Sequence, residues 1–393
     1  MTSIAIIGAG PAGLMAAEVL SRAGQLSQAE LRVDIYDRMP SVARKFLMAG
    51  RGGLNLTHSE PFERFVSRYG KTAPLLRPAL EAFPPSELRA WADGLGADTF
   101  VGSSGRVFPK AMKASPLLRA WLARLSAHGV RFHLRHDWLG WNDEQLVFQA
   151  PVGRLYVKPD ATILALGGAS WPKLGANGGW ASLLAERGIG LTPFQPANAG
   201  FGVAWSSLFA GKFAGQPLKN IALTFNGREV KGELMPTRYG LEGGAVYAMS
   251  AALRDAIVRN GHADLLIDLR PDLNAGQVAS KLGRASLKDS VANRLRKTLN
   301  LSPVAIALMH ETGAGDVKSV KLRLRDMQGL DRAISSAGGI TFDALTADFE
   351  LKALSGVHAV GEMLDWEAPT GGYLLQACFS TAVAASRAIL RKA

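Results

Sequence analysis

Ser3-Ile4-Ala5-Ile6-Ile7-Gly8-Ala9-Gly10-Pro11-Ala12-Gly13 is the stretch that decides the fold. Ser3 to Ile7 is a short apolar run rich in β-branched residues, the pattern of a parallel strand buried on both faces. Three glycines at GxGxxG spacing follow at once, and Leu14 to Leu20 then reads as a helix. Each glycine has its own task in such a turn. Gly8 allows the tight bend, Gly10 lets a pyrophosphate rest against main chain, and Gly13 lets helix and strand pack closely. The helix start, with Pro11 and Ala12, offers unbonded N–H groups and partial positive charge to phosphates. The glycine spacing alone is a weak signal; strand before and helix after make it specific.

Outward from this turn, Arg32-Val33-Asp34-Ile35-Tyr36 reads as the next strand and ends in Asp37, followed by Arg38. An acid at that point accepts hydrogen bonds from the adenosine ribose and repels a 2′-phosphate. The site therefore prefers FAD or NAD over NADP. The segment from Arg44 to His58 comes next and holds Lys45, Gly50, Gly52, Gly53, Asn55 and Leu56. A nicotinamide dehydrogenase has no need of such a loop here, whereas a flavoprotein must cover the isoalloxazine and ribityl chain. The competing reading is an ordinary surface loop.

Composition narrows the classes further. The 393 residues suffice for two domains, or one domain with a large insertion. One cysteine, Cys378, excludes an intramolecular disulfide framework, a CxxC redox pair and a Cys-rich zinc site. It also fits a reducing compartment, and Cys378 reads as a buried, inert thiol. The 43 glycines exceed the usual share of roughly 7%, so main chain must come close to other groups somewhere. The first residues lack a basic n-region, and glycines and Pro11 break the uncharged run from Thr2 to Ala16. A cytoplasmic protein without stable membrane association is expected. The net charge of +12 favours polyanionic partners: nucleic acid, anionic membrane or phosphorylated substrates.

Four segments give the chain a family resemblance: Ile6 to Gly13, Arg44 to Thr57, Asp160 to Lys173 with Gly167-Gly168, and Gly361-Glu362-Met363-Leu364-Asp365 through Thr370-Gly371-Gly372-Tyr373 to Gln376. Together they resemble the bacterial predicted NAD(P)/FAD-dependent oxidoreductases of the YhiN/BaiN type, over essentially the whole chain. Gly53 and Leu54 stand where that family usually has arginine and cysteine, which marks a divergent subfamily. The resemblance implies an α/β fold: a doubly wound, Rossmann-like FAD-binding domain from the two chain ends, with a large α+β insertion between them. The expected limits are 1–191 and 338–393 for the FAD domain and 192–337 for the insertion.

The residues agree with this plan. Ala161 to Leu166 and Gly356 to Val360 read as buried strands, and Gly372 to Lys392 as an apolar, alanine-rich helix. Within the insertion, Phe201 to Ala204, Ile221 to Phe225 and Leu265 to Leu269 read as strands. Segments 275–283, 288–299 and 303–311 read as helices, with Pro271-Asp272-Leu273-Asn274 as a turn ending in a helix N-cap.

Ligands bind at the carboxyl ends of such strands. Candidate cofactor residues are therefore Gly8, Gly10, Pro11, Ala12, Gly13, Asp37, Arg38, Lys45, Gly52, Asn55, Leu56, Gly167, Gly168, Gly361, Glu362, Asp365, Gly371, Gly372 and Tyr373. The resemblance implies that Asp365 meets the ribityl or pyrophosphate region. It also implies that Gly371-Gly372 start the last helix beneath the flavin ring. Tyr373 packs on the flavin or forms core, and Trp171 borders the substrate pocket or is structural. FAD is the expected cofactor, with NAD(P)H as a transient electron donor. No catalytic residue is identified; Tyr239, Arg238 and His58 are candidate proton donors, and a metal site is not expected.

Residues 99–136 contain no acid but hold Arg106, Lys110, Lys113, Arg119, Arg124, Arg131 and Arg135. Residues 271–332 hold eleven Lys or Arg against six Asp or Glu. These stretches are either a solvated basic surface or an electrostatic track for phosphates. The expected reaction is flavin-borne hydride reduction of an unsaturated substrate, a uridine-type pyrimidine in RNA. The alternative is a small-molecule enone or carbonyl compound.

Overall fold

Short apolar runs buried on both faces need neighbours, and the four read in the sequence form one parallel sheet with a fifth strand, Arg131–Leu134, at its edge. The computed structural model describes residues 2–27, 31–49, 53–286 and 288–392. The sheet order is Val357–Ala359, Ala161–Leu164, Thr2–Ile7, Leu31–Asp37, Arg131–Leu134. All its pairings are parallel. The first strand lies at the centre, with Ile6 beside Ile163 on one side and Ile35 on the other. The helix Pro11–Ser27 crosses over from first strand to second, starting three residues earlier than its apolar pattern, with Pro11 as its first residue.

The last helix, Tyr373–Lys392, has twelve buried residues, and its Ser386 hydroxyl donates to Ala16 O on the first helix. By length and composition it could cross a membrane, but 67% of its apolar window is buried inside the protein. It serves as a core helix of the sheet.

The segment after the expected ribose acid departs from the sequence reading. Arg44–Ala49 is helical rather than loop. Its Arg-Lys-Phe-Leu-Met-Ala sequence consists mostly of good helix formers, and Ala43, just before it, donates its N–H to Ala9 O at 2.9 Å.

The chain divides into two units, Met1–Gln195 with Ser335–Ala393, and Pro196–Ile334. The first also carries an antiparallel meander, Asp137–Asn142, Gln145–Ala150 and Gly153–Val157. The second is built on an antiparallel six-stranded sheet. Its order is Phe201–Gly202, Gly240–Glu242, Arg228–Pro236, Leu218–Phe225, Ala263–Asp268, Val320–Leu324. Helices Ala275–Gly283, Val291–Leu299 and Pro303–Thr312 follow the segments expected. Asn274 caps the first of them in a reciprocal box. Its Oδ1 accepts from Gln277 N–H at 2.8 Å, and Gln277 Oε1 accepts from Asn274 N–H at 2.9 Å. The second helix starts at Val291 because Ser290 caps it.

Candidate active site

The glycine turn is a cradle with one open side. A Cβ on Gly8 would lie 2.3 Å from Ala165 O, and one on Gly13 would lie 1.9 Å from Gly8 O. A Cβ on Gly10 would meet nothing within 4 Å. Gly8 and Gly13 are thus glycine for packing, while Gly10 borders free space where a ligand can touch main chain. The first hydrogen bond of the helix runs from Leu14 N–H to Gly10 O at 2.9 Å, so the N–H groups of Ala12 and Gly13 precede the ladder.

Asp37 ties this turn to the end of the second strand. Its Oδ2 accepts from Ala9 N–H and its Oδ1 from Met39 N–H, each at 2.7 Å. Burial raises its pKa; the two N–H groups and the charges of Arg38 and Arg44 offset only part of that rise. Each oxygen keeps a second lone pair for a ribose hydroxyl. Arg38 and Arg44 both have a buried Nε without a hydrogen-bond partner. Arg44 was not singled out in the sequence, although it stands seven residues after Asp37. Unspent guanidinium donors beside a glycine turn suit a pyrophosphate.

Four distant segments converge on Lys45. Its Nζ donates to Ser170 Oγ at 2.5 Å and to Glu362 Oε2 at 2.9 Å. Glu362 Oε1 accepts from Ser336 N–H at 3.0 Å, and Ser336 Oγ accepts from Ala169 N–H at 3.0 Å. A Cβ on Gly168 would lie 2.0 Å from Ser336 Oγ. Lys45, Gly168 and Glu362 are therefore brought together; Ser170 and Ser336 are the members the sequence reading missed. Gly167 O accepts from Trp180 Nε1–H at 2.9 Å. Trp171 takes a left-handed φ of 57°, an uncommon conformation for a bulky residue, just past this strand end.

Near the last helix the side chains are mostly committed. Asp365 Oδ2 accepts from Thr192 Oγ1–H at 2.7 Å. Gly361, at φ 75°, lies against Ala12 and Cys378. The Cys378 thiol is free, and burial pushes it up to about 12. Gly372 has φ 93°, and a Cβ there would lie 2.5 Å from Thr57 Cα; Gly371 has φ 133°.

Two expectations change. The Tyr373 ring is 4% exposed, stacks on His58 at 5.6 Å, and its hydroxyl donates to Glu60 Oε1 at 2.5 Å. It is a core ring, so a ligand could meet only its main chain. The Leu56 side chain is fully buried in the same core, and its N–H goes to Val107 O at 2.9 Å. The neighbouring Asn55 has a buried Oδ1 with no partner, an acceptor left for a ligand group. Gly52 lies outside the described residues.

The candidate proton donors are largely spent. His58 Nδ1 accepts from Glu60 N–H at 3.1 Å, which leaves its Nε2 to donate to Ser104 O at 3.0 Å. Burial lowers its pKa, in keeping with a neutral ring. Tyr239, in the second unit, donates to Glu242, and burial pushes its phenol up. Arg238 is exposed. Among the described residues no group of three His, Cys, Asp or Glu side chains could hold a metal ion. A hollow of about 280 Å³, lined by Ala181, Ala185, Leu191, Phe194 and Gly339 among others, has no ionisable side chain and none of the candidate residues.

The HI0933-like protein Rossmann domain model matches residues 2–388. A 3-dehydro-bile acid delta(4,6)-reductase of Clostridium scindens is 27% identical, over 99% of each chain. A ribosomal RNA dihydrouridine synthase of Haemophilus influenzae is 23% identical, over 98% of each. Among solved structures, the open conformation of a flavocytochrome c3 fumarate reductase superposes with a TM-score of 0.54 at 15% identity. That match covers 98% of this chain and 77% of the other. The likeness shows the fold, a Rossmann-type FAD-binding architecture.

Proposed function

The chain belongs to the HI0933-like Rossmann family of FAD-dependent oxidoreductases, and from that premise we propose that it reduces a carbon–carbon double bond conjugated with a carbonyl group, with uridine in RNA as its substrate class. The names of both relatives describe such a saturation, delta(4,6)-reduction in one and formation of dihydrouridine in the other. The observation that carries the cofactor part is the open side of the cradle at Gly10, in a turn that Ala9 ties to Asp37 and to Ala43, the neighbours in sequence of Arg38 and Arg44 with their unbonded Nε groups.

In this reading Ala12 and Gly13 N–H and the two guanidinium groups hold the pyrophosphate, and Asp37 holds the adenosine ribose. Asn55 Oδ1, Gly167-Gly168 and Gly361 border the rest of the cofactor. Bound FAD supplies the hydride, with NAD(P)H as electron donor. Lys45, pinned by Glu362 and Ser170, contributes a fixed positive charge. Gly371 and Gly372 precede the N–H groups that open the last helix, which favour negative charge at that end. The hydrogens of His58 and Tyr239 are engaged elsewhere, so neither is assigned as the acid.

The net charge of +12 favours RNA over a neutral substrate. The 27% identity with the bile acid enzyme favours a second reading, a free enone. Nucleoside mass spectrometry of ribosomal and transfer RNA from a deletion strain and its parent separates them. Loss of a dihydropyrimidine in the deletion is expected. An unchanged profile, with saturable NADPH oxidation on a panel of enones, would replace the RNA reading with the second.

A further inference from the structure

We propose that the helical hairpin formed by Ala275–Gly283 and Val291–Leu299 in the second unit is a docking surface for the phosphodiester backbone of folded RNA. The choice of RNA over DNA rests on the proposed function; the surface itself rests on charges that the proposed reaction does not use.

Residues 273–310 hold Lys281, Arg284, Lys288, Arg294, Arg296 and Lys297, with Asp289 as their single acid. Asp289 is consumed internally, its two oxygens at 2.9 and 3.0 Å from Lys297 Nζ. Among the described residues, the other five cations form no ion pair with an acid. Lys281, Arg284, Lys288 and Arg296 are exposed and Arg294 is half-buried.

The neighbouring strands Ala263–Asp268 and Val320–Leu324 of the same unit behave differently. Asp264 pairs with Lys321 and Arg323, each at 2.9 Å, and Asp268 pairs with Lys318 at 2.6 Å. Arg270, on the turn leading to the hairpin, pairs with Asp272 at 2.7 Å. These cations are each met by an acid, whereas five of the hairpin's six are not, which costs self-repulsion unless an anion meets them.

The hairpin is also held in place. Val278, Leu295 and Leu299 are buried in the unit's core, and both helices start on side-chain caps at Asn274 and Ser290. A pre-ordered surface loses little entropy on binding. Exposed Gln277, Ser280, Ser286 and Ser290 lie among the cations as neutral donors of the kind phosphates accept from. Each helix has nine residues; at 1.5 Å rise it spans roughly 13 Å, long enough to reach more than one phosphate of a backbone. A membrane surface fits less well. Val291 is the single large apolar residue exposed on the two helices, whereas an interfacial helix needs an apolar face to insert.

The test uses the full-length, FAD-loaded protein and its K281Q/R284Q/K288Q variant. Binding of a fluorescein-labelled RNA stem-loop is followed by anisotropy across a salt series. The variant is expected to bind at least about tenfold more weakly, with the slope of log K against log salt reduced by about 2, given roughly 0.7–0.9 per phosphate contact. Its FAD content and melting temperature should stay as in the parent. Unchanged affinity and slope would overturn the proposal. So would loss of binding to phosphatidylglycerol vesicles with RNA binding intact. Lost RNA affinity in the variant, with no dihydropyrimidine missing from the deletion strain, would keep the docking surface and remove uridine reduction.

Discussion

Residues 99–136 and 273–310 are windows of equal length and similar cation count, seven cations without an acid in one, six with one acid in the other. The fold uses them differently. In the first window Arg124 meets Glu18 at 2.9 Å and Arg131 meets Asp34 at 3.0 Å. Both acids are buried, at 4% and 5% exposure. Glu18 also accepts from Trp121 Nε1–H, and Asp34 is bonded by His133 and paired with Arg32. Those two cations are part of the scaffold, while Arg106, Lys110, Lys113, Arg119 and Arg135 pair with no acid among the described residues. In the second window the lone acid is a surface partner of Lys297, and the charge belongs to the surface. A tally of charge within a window therefore says little about where a field is available.

Removing single acids sharpens the contrast, and the largest effect is expected at Glu18. Glu18→Gln strands a partly buried guanidinium and weakens the Trp121 bond, a loss of about 2 to 3 kcal/mol. Urea denaturation followed by tryptophan fluorescence measures it, and a change below about 0.5 kcal/mol would break the scaffold side of the comparison.

Asp34→Asn should cost less, about 1 to 2 kcal/mol, because Arg131 and Arg32 are substantially exposed. Burial raises the Asp34 carboxyl, but the bond from His133 and the charge of Arg131 outweigh it, and the net pKa lies below 3.8. Its stabilisation is then complete above the unfolded value of about 3.8 and lost as pH falls through the lower folded one. The variant should lack that step in urea curves collected in acid.

His358 extends the test to a buried group without a partner. It is 1% exposed and both ring nitrogens are unbonded. Burial lowers its pKa from 6.5, the opposing Glu350 and Asp348 and the reinforcing Lys392 notwithstanding. Stability from its neutral form is present above about 6.5 and lost as pH falls through the lower folded value. His358→Leu should flatten stability against pH between about pH 7 and pH 5. An unaltered slope would mean that water or a neighbour reaches the ring.

Asp289→Asn should have the smallest effect, under about 0.5 kcal/mol on stability, while raising RNA affinity slightly by freeing Lys297. A large loss in the same urea assay would make the second window scaffold as well.

Four of the five strands of the parallel sheet were legible because their signals are local: a β-branched run, a glycine turn in phase with it, an acid at the next strand end; Arg131–Leu134, partly exposed and without a β-branched residue, was not. The Asn274 cap was legible for the same reason. Missed elements had weaker local patterns. Val320–Leu324 alternates buried and exposed residues in five positions, too short a run to stand out beside helical neighbours. Arg228–Pro236 is exposed along most of its length and takes its place by pairing with Leu218–Phe225. In the site, Lys45 was legible from its place after Asp37 and Glu362 from the glycine and strand before it, but the pairing across 317 residues was not. Nor was the commitment of Tyr373 to Glu60, since a tyrosine beside two glycines reads equally well as ligand or core until the fold supplies its partner.

The edge strand Val357–Ala359 pairs with Ala161–Leu164, and roughly 190 residues separate them; at ~5–20 residues per second a ribosome needs about 10 to 40 seconds to make that interval. Throughout it the nascent sheet has an unpaired apolar edge, and its covering helix does not yet exist. The second unit, contiguous in sequence, can fold while the first waits. The period of greatest exposure to aggregation and proteolysis is therefore written into the order of synthesis.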